Sequence, residues 1–157
     1  LGGDFSDLSK DGFTLALETS SYSLVTIARE ASKYFSKDGA SVISMTFDAS
    51  TKVYPGYNVM GTAKAALENI NRQLSAQFGP NKTRFNSISA GPLPSLSARS
   101  IPGFTEMRKA HEERSPIKRP ITHEEVANTA LFLISDMSSG ITGSIIPVDG
   151  GYGIIAL

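Results

Sequence analysis

The sequence has 157 residues, enough for one domain that buries about 70% of the surface its unfolded chain exposes. Hydrophobic residues make up 40% and charged residues 19%, which is typical of a globular protein and argues against a disordered chain. Basic and acidic residues number 15 each, so the zero net charge predicts no binding to nucleic acid or to an anionic membrane. The chain has no cysteine, which excludes disulfides, thiolate nucleophiles and cysteine-ligated zinc.

Nothing in the sequence predicts a membrane span or a signal peptide. No apolar run approaches the roughly 20 residues that a span requires. The first residue is Leu1 rather than Met, which suggests a processed product or a piece of a longer chain. We therefore expect a protein of the cytoplasm, or of a plastid if a transit peptide lies upstream.

Hydrophobic periodicity predicts three strands that alternate with long helices. The strands are predicted near residues 41–47, 84–89 and 144–148, and the long helices near residues 13–36 and 57–78. Short β-rich runs between long helices are typical of buried parallel strands, so the order predicts an α/β sheet with right-handed crossovers and helices on both faces. Three strands are few for helices of this length, so we expect an open sheet edge that a partner or a missing segment covers.

The remaining segments are predicted to be loops and short helices. Residues 1–12 mix glycine, aspartate and serine and are predicted to form a loop. Residues 93–120 contain four prolines and are irregular except for a short helix over residues 104–114. Thr122 begins a T-x-x-E capping box, which predicts a helix from there to about Ser135.

The segment YNVMGTAK, from Tyr57 to Lys64, carries the densest chemical signal. These two residues are two turns apart on the predicted helix, so both are expected on one face. A phenol has a pKa of about 10, and a nearby ammonium group favours the phenolate and makes the phenol a better proton donor. The same spacing is common in amphipathic helices with one aromatic residue and one solvated lysine, so the spacing alone leaves both interpretations open.

The position of this segment favours a functional site. The helix follows a strand and a loop, so its first residues are predicted at the carboxyl edge of the sheet, where open α/β sheets bind ligands. The next strand ends in SAGPL, from Ser89 to Leu93, which predicts a tight turn at the same edge. The proline-rich residues 93–120 are suited to a lid or a substrate-binding wall.

Three motifs together resemble the enoyl-acyl carrier protein reductases, which are divergent members of the short-chain dehydrogenase/reductase superfamily. They are Y-x-x-M-x-x-x-K from Tyr57, I-S-A-G-P from Ile88 and V-D-G-G from Val148, in the family's order over essentially the whole chain. The Tyr-to-Lys spacing is the discriminating feature, because ordinary short-chain dehydrogenases use Y-x-x-x-K and this sequence has Gly61 there. The resemblance implies a Rossmann-type, doubly wound parallel sheet.

The resemblance also implies NADH- or NADPH-dependent reduction of the trans-2 double bond of a fatty acyl thioester. Hydride goes from nicotinamide to the β-carbon, and the resulting enolate is stabilised at the thioester oxygen and protonated at the α-carbon. By resemblance, Tyr57 hydrogen-bonds this oxygen and Lys64 holds the nicotinamide ribose. Further cofactor contacts are implied at the turn after the second strand, at Gly91, Pro92, Leu93 and Ser95.

The acyl chain is implied to lie against apolar residues near the same edge. Met60, Ile101 and Phe104 would line its pocket by resemblance, although core packing alone also explains these residue types. Many bacterial members have a second tyrosine ten residues before the catalytic one, and here that position holds Phe47, which can only pack against or steer the substrate. F-D-A-S from Phe47 resembles the mycobacterial type, whereas Y-N-V-M-G resembles the common bacterial and plastid type.

The sequence departs from the family in one respect, since it lacks the N-terminal strand and glycine-rich turn that contact the cofactor diphosphate. Gly2 and Gly3 follow no strand, and Gly150 and Gly151 precede no helix. Residues 1–157 are therefore predicted to be the C-terminal part of a single reductase domain, with the first βαβ segment missing. The choice between NADH and NADPH depends on that segment.

The resemblance predicts macromolecular partners as well. Acyl carrier protein would present the substrate, and a basic group in the proline-rich stretch is either a solvated face or a site for this acidic protein. The group consists of Arg108, Lys109, Arg114, Lys118 and Arg119. The wide apolar surface of the first helix predicts burial against other subunits, in a homotetramer or at least a dimer. Neither His111 nor His123 has metal-ligand spacing, so no metal site is expected.

Two hypotheses of different classes remain open at this point. The chain is either part of an enoyl-thioester reductase or a non-catalytic fragment that cannot hold a dinucleotide alone. A third possibility, a carbonyl-reducing short-chain dehydrogenase, is disfavoured by Gly61. A glycine-rich first strand, supplied by a longer reading frame or by a second chain, would separate the first two.

Overall fold

The computed structural model describes residues 4–99 and 101–156, and in these ranges it contains three β-strands and six α-helices. The strands are β1 Ser41–Thr46, β2 Arg84–Ala90 and β3 Ile145–Val148. The α-helices are α1 Lys10–Leu17, α2 Ser23–Ala31, α3 Val59–Phe78, α4 Leu96–Arg99, α5 Phe104–Arg114 and α6 His123–Ile134. A π-helical turn, Glu18–Tyr22, joins α1 to α2, and 3₁₀ turns lie at Phe5–Asp7, Ser32–Tyr34, Asp48–Ser50, Gly79–Asn81, Asp136–Ser138 and Tyr152–Ile154.

The three strands form one parallel sheet in the order β1-β2-β3. Thr46 of β1 is in register with Ser89 of β2, and Ala90 of β2 is in register with Val148 of β3. The predicted strands and their parallel arrangement are therefore confirmed, and the fold is Rossmann-like α/β. Because all three strands run the same way, their carboxyl ends meet at one edge of the sheet.

Helices cover both faces of the sheet, and each face has its own apolar core. On one face, Leu67 and Leu74 of α3 pack with Phe85 of β2 and with α2. On the other face, Leu133 of α6 packs with Ile88 of β2. The alternation of side chains along β2 thus supplies both cores from one central strand.

The two crossover connections have opposite hands. Helix α3 connects β1 to β2 on one face, and α6 leads from β2 to β3 on the other face, while the strands keep their sequence order. Two crossovers between parallel strands that move in the same direction across a sheet have the same handedness only if both cross the same face of the sheet. The prediction that every crossover is right-handed is therefore wrong for one of the two. The segment between β2 and α6 leaves the sheet at its carboxyl edge before it reaches the second face.

The N-terminal helix begins earlier than predicted and is interrupted by the π turn. Ser9 caps it, because its hydroxyl accepts a hydrogen bond from the Gly12 amide at 3.1 Å. The end of the predicted loop, from Lys10, is therefore helical. Within the π turn, buried Ser21 donates its hydroxyl to the Ala63 carbonyl of α3 at 2.8 Å. This bond ties the interrupted helix to the first turns of α3.

Other predicted boundaries need small corrections. The capping box is confirmed, since the Glu125 amide donates to Thr122 Oγ1 at 3.2 Å and the Thr122 amide donates to Glu125 Oε2 at 2.8 Å. Helix α4, within the proline-rich stretch, was not predicted. Residues 1–3 of the predicted N-terminal loop lie outside the described residues. In the described part of the chain, no helix combines the length and apolar character that a membrane crossing requires.

Candidate active site

A cavity of about 380 Å³ opens where β1 and β2 end. Its walls come from the end of β1, the start of α3, the turn after β2 and the beginning of the proline-rich segment. Nine of the ten predicted site residues line it: Phe47, Tyr57, Lys64, Gly91, Pro92, Leu93, Ser95, Ile101 and Phe104. The tenth, Met60, does not line this cavity and lies half-buried in the first turn of α3.

A tight turn, rather than the helix itself, brings the phenol of Tyr57 to the cavity. Helix α3 begins at Val59, and Asn58 before it has φ 46°, which is uncommon for a residue with a side chain. The Met60 amide donates to the Tyr57 carbonyl at 3.1 Å and closes the turn. The prediction that Tyr57 and Lys64 share one helical face is therefore wrong, although both side chains line the same cavity.

The side chain of Tyr57 is half-buried, and its hydroxyl is not hydrogen-bonded to any described residue. Its ring packs edge-on against Phe47 with centroids 5.3 Å apart. Burial, and then the negative charge of Asp48, raise the pKa of this phenol. Burial and Asp48, rather than Lys64, are therefore the groups that set the direction of this pKa. A neutral phenol is a hydrogen-bond donor, and this one is free to bind a ligand oxygen.

Lys64 is fixed in the same cavity wall by the end of β1. Its ammonium donates to the Met45 carbonyl at 3.0 Å. Burial lowers the pKa of Lys64, and the carboxylate of Glu68 partly offsets this effect. An ammonium group has three donors, so two remain for hydroxyl or carbonyl oxygens of a ligand in the cavity.

Phe47 lies between two tyrosines, and sequence reasoning missed one of them. Its ring centroid is 4.8 Å from that of Tyr54 and 5.3 Å from that of Tyr57. The Tyr54 hydroxyl donates to Asp48 Oδ2 at 2.9 Å, and burial together with this carboxylate raises the pKa of Tyr54. Of the two phenols, only that of Tyr57 is free and in the cavity wall. A second aromatic residue before the turn, in Y-P-G-Y, is the signal that indicates Tyr54.

The turn after β2 requires a glycine. Gly91 and Pro92 are buried, and a Cβ atom at Gly91 would lie 2.7 Å from the imidazole of His111. His111 is itself buried and stacks on Tyr152 with ring centroids 4.4 Å apart, and burial lowers its pKa. His111 therefore supports the turn from behind and does not line the cavity.

The segment after this turn contributes first a polar side chain and then two apolar side chains to the cavity wall. The Ser95 hydroxyl is exposed and accepts a hydrogen bond from the Ala98 amide at 3.1 Å, so its own proton remains available to a ligand. Ile101 and Phe104 follow as half-buried apolar residues. Ser95 and these two apolar side chains line the same cavity as Lys64.

Six further residues line the cavity and were not predicted from the sequence: Met45, Thr46, Ala90, Ala98, Met107 and His123. Met107 follows Phe104 by three positions on α5, so helical periodicity would have found it once the helix was placed. His123 begins α6 and also lines the cavity, but no sequence pattern connects it to this edge of the sheet. In the ranges that the structure describes, no group of three or more His, Asp or Glu side chains is arranged to hold a metal ion.

The chemistry of the wall defines the kind of ligand that fits. Tyr57, Lys64 and Ser95 present O–H and N–H donors, whereas Phe47 and Phe104 present aromatic surface. The set fits a ligand that combines hydroxyl and carbonyl oxygens with a hydrocarbon chain. It also fits the nicotinamide and ribose of a dinucleotide, because the two free donors of Lys64 match a pair of sugar hydroxyls.

Comparison with known proteins gives a consistent result. A family model described as enoyl-(acyl carrier protein) reductase matches residues 1–153. The chain is 47% identical over 157 residues to the NADH-dependent enoyl-[acyl-carrier-protein] reductase of Synechocystis. It is 45% identical over 152 residues to the NADPH-dependent enzyme of Staphylococcus aureus. The structure of the Bacillus cereus enoyl-acyl carrier protein reductase, solved with NADP+ and indole naphthyridinone, superposes with a TM-score of 0.95 at 44% identity.

These matches cover almost all of this chain but only part of each relative. The alignments span 100% of this chain with the Synechocystis protein and 97% with the Staphylococcus aureus protein, but only 60% and 59% of those relatives. The Bacillus cereus structure covers 99% of this chain, and the chain covers 60% of that structure. The chain therefore spans about 60% of the length of the curated relatives that it matches.

Proposed function

Because this chain belongs to the enoyl-acyl carrier protein reductase family, we propose that the complete protein reduces trans-2-enoyl thioesters with NADH or NADPH in fatty acid elongation. One observation carries the proposal: the free phenol of Tyr57 and the ammonium of Lys64 line one cavity together with apolar side chains. These donors suit a thioester oxygen and sugar hydroxyls, and the apolar wall suits an acyl chain.

Tyr57 is the proposed catalytic donor. When bound, nicotinamide supplies the hydride that reaches the β-carbon of the substrate. The electron pair of the double bond then moves toward the thioester oxygen, and the α-carbon takes up a proton to complete the reduction. The raised pKa of Tyr57 keeps the phenol neutral, so it donates to the oxygen while negative charge develops there. A donor aimed at developing charge lowers the barrier because its bond is strongest in the transition state.

Lys64 is proposed to hold the cofactor ribose and to keep the local field positive. Its bond to the Met45 carbonyl aims the ammonium and leaves two donors free. The turn after β2 would complete the nicotinamide end of the site through Gly91, Pro92, the backbone of Leu93 and the hydroxyl of Ser95. We propose that residues which contact the adenosine end lie in the part of the relatives that this chain does not span.

Residues 93–120 are proposed to form the substrate-binding lid of a single reductase domain. Ile101 and Phe104 would contact the acyl chain from this segment, and Phe47 would contact it from the opposite wall. Met60 would act only indirectly, through the turn that positions Tyr57. The lid begins at the cavity and continues into a helix with exposed charges, which suits a segment that contacts both substrate and solvent.

Acyl carrier protein is the proposed carrier of the substrate. The basic residues of the lid give this segment net positive charge, and four of the five are exposed: Lys109, Arg114, Lys118 and Arg119. Their charge would steer an acidic protein to the cavity. The same proposal places the reaction in the cytoplasm, or in a plastid if a transit peptide precedes the chain.

A homotetramer is the proposed assembly. Large apolar side chains are exposed on the N-terminal helix at Leu15, Tyr22 and Ile27, which are 58%, 50% and 58% exposed. Several large apolar side chains exposed on one helix suit a surface that packs against another subunit. Sedimentation of the complete enzyme as a monomer would contradict this part of the proposal.

The geometry disfavours the alternative of a carbonyl-reducing short-chain dehydrogenase. That class needs a lysine at the position of Gly61, and a Cβ atom there would lie 2.7 Å from the Ala49 carbonyl oxygen. The backbone approach excludes any side chain without a shift of the loop after β1.

The decisive experiment is oxidation of NADH or NADPH by the complete enzyme in the presence of a trans-2-enoyl thioester. Turnover should require the thioester, and an acyl carrier protein substrate should have a lower KM than the matching coenzyme A thioester. A Lys109→Glu variant should raise the KM of the first substrate several-fold and leave that of the second unchanged. If no nicotinamide is oxidised with either substrate, the chain is part of a non-catalytic protein.

A further inference from the structure

Helix α3 carries a buried acidic residue that the proposed reaction does not use. Glu68 is only 6% exposed and lies one turn beyond Lys64. Residues four apart on a helix have their Cβ atoms about 5–6 Å apart. Burial of a carboxylate is costly unless hydrogen bonds or an opposite charge compensate it, so the position of Glu68 requires an explanation.

The last two residues of strand β1 form hydrogen bonds with Lys64 and Glu68 of α3. The Met45 carbonyl accepts a hydrogen bond from the Lys64 ammonium at 3.0 Å. The hydroxyl of the next residue, Thr46, donates to Glu68 Oε1 at 2.8 Å, and Thr46 is only 5% exposed. Two neighbouring residues at the end of one strand therefore fix two side chains that are one turn apart on the helix.

Few other charges act on this pair. Arg72 Nη2 lies 4.0 Å from Glu68 Oε2, but the Arg72 side chain is 53% exposed, so solvent screens much of its charge. Tyr57 and His123 share the cavity wall with Lys64. Glu68 is the described group whose negative charge raises the pKa of Lys64 against the effect of burial.

We propose that Glu68 is a positioning residue for Lys64: its carboxylate, held by Thr46, keeps charged the ammonium that the Met45 carbonyl holds at the cavity. The inference rests on the proposed function, in which Lys64 holds the cofactor ribose. A buried amine loses its proton at a lower pH than an exposed one. A neutral amine forms weaker hydrogen bonds to sugar hydroxyls than an ammonium group does. Glu68 thus extends the pH range over which Lys64 binds the cofactor.

The test measures the titration of Lys64 in the complete, cofactor-free enzyme. The signal is the NMR resonance of the Lys64 ε-methylene group, assigned by its loss in Lys64→Arg. Glu68→Gln keeps an oxygen for Thr46 and removes the charge, so the titration midpoint should fall by about one pH unit. The midpoint of the pH dependence of NADH affinity, measured by fluorescence, should fall with it.

Two further variants test the direction in which the two midpoints shift. Arg72→Gln removes the cation that competes for Glu68, so both midpoints should rise by a smaller amount. Glu30→Gln removes a carboxylate from the exposed pair with Lys33 and is the matched control, which should leave both midpoints unchanged.

Unchanged midpoints in Glu68→Gln and Arg72→Gln would overturn the proposal, whatever their thermal stability. If Glu68→Gln does not fold, the direction of the Arg72→Gln shift decides. A Lys64 midpoint that falls as expected, in an enzyme that binds no NADH and reduces no enoyl thioester, would overturn the proposed function instead. The two failures are therefore distinguishable.

Discussion

The two walls of the cavity are built differently. The wall formed by β1 and α3 is fixed by side-chain hydrogen bonds, from Lys64 to the Met45 carbonyl and from buried Thr46 to buried Glu68. In the opposite wall, from Ser95 to Phe104, Ser95 is exposed, and Ala98, Ile101 and Phe104 are half-buried. Gly103, just before α5, has φ 74° and no atom near its missing side chain, so this wall has few restraints there.

This difference separates two tasks within one site. Groups that must meet a reacting oxygen or a ribose need a fixed geometry, because a small displacement weakens a hydrogen bond to developing charge. A wall that admits acyl chains needs room to move, and loosely packed segments supply that room. We therefore expect substitutions in the fixed wall to change cofactor binding or turnover, and substitutions in the other wall to change substrate binding.

The largest expected effect in the fixed wall is that of Lys64→Ala. The substitution removes the ammonium proposed to hold the ribose, so NADH affinity should fall by about 100-fold, as expected for the loss of charge-assisted hydrogen bonds. Lys64→Arg should lose less, since the charge remains while the geometry of the donors changes. Fluorescence titration of NADH measures both. Normal affinity in Lys64→Ala would mean that the lysine is only part of an amphipathic helix face.

Tyr57→Phe should act on turnover rather than on binding. The phenol is proposed to donate to an oxygen that becomes anionic only during the reaction, so kcat should fall by about 30-fold, or about 2 kcal/mol, with NADH affinity nearly unchanged. Steady-state oxidation of NADH with an enoyl thioester measures the change. An unaltered kcat would exclude Tyr57 as the donor.

Tyr54→Phe is the matched control, because it removes the same hydroxyl three residues earlier. That hydroxyl is bonded to Asp48 and does not line the cavity. Tyr54→Phe should therefore keep most of the wild-type kcat and lower stability by about 1 kcal/mol, the typical value for one hydrogen bond. If Tyr54→Phe lost more turnover than Tyr57→Phe, the assignment of the two phenols would be reversed.

A smaller effect is expected in the other wall. Phe104→Ala removes a half-buried ring that lines the cavity, so the KM for a long-chain enoyl thioester should rise by about tenfold. The kcat and the NADH affinity should change little, because Phe104 is not proposed to contact the reacting atoms or the ribose. Kinetics with a short and a long enoyl thioester separate these effects. A loss of kcat equal to that of Tyr57→Phe would remove the distinction between the walls.

The sequence predicted the sheet and its functional edge for clear physical reasons. Short β-rich runs such as that from Ser41 favour buried strands between helices, and parallel strands bring their carboxyl ends together. Nine predicted site residues therefore meet in one cavity. Residue types alone would not have identified these site residues, because apolar residues such as Ile101 and Phe104 are also typical of a hydrophobic core. The family motifs supplied that information.

The features that the sequence did not predict depend on contacts between distant parts of the chain. The start of α3 at Val59 depends on the turn at Asn58, whose φ of 46° no propensity indicates. The raised pKa of Tyr57 reflects burial in the folded chain, which spacing cannot express. The opposite hands of the two crossovers depend on which face α6 covers, and that follows from packing rather than from the strand order.

The smallest expected effect lies outside both walls, where the lid meets the start of α6. Glu125 accepts hydrogen bonds from the Arg119 guanidinium at 2.6 and 3.1 Å and from the Thr122 amide at 2.8 Å. These groups, Arg119 first, lower the pKa of Glu125 from 4.5 to about 2. The folded chain therefore binds fewer protons than the unfolded chain between these two pH values, so this contribution to stability is present above pH 4.5 and is lost as the pH falls toward 2.

Glu125→Gln should remove that pH dependence while it keeps an acceptor for the Thr122 amide. The Tm difference between wild type and Glu125→Gln should be constant above pH 4.5 and should shrink as the pH falls through the pKa of about 2. Arg119→Gln removes the main cause of the lowered pKa, so it should weaken the same dependence. Thermal melts followed by circular dichroism measure all three proteins. Parallel curves for wild type and Glu125→Gln would show that the carboxylate is not held by Arg119, and that this ion pair does not stabilise the start of α6.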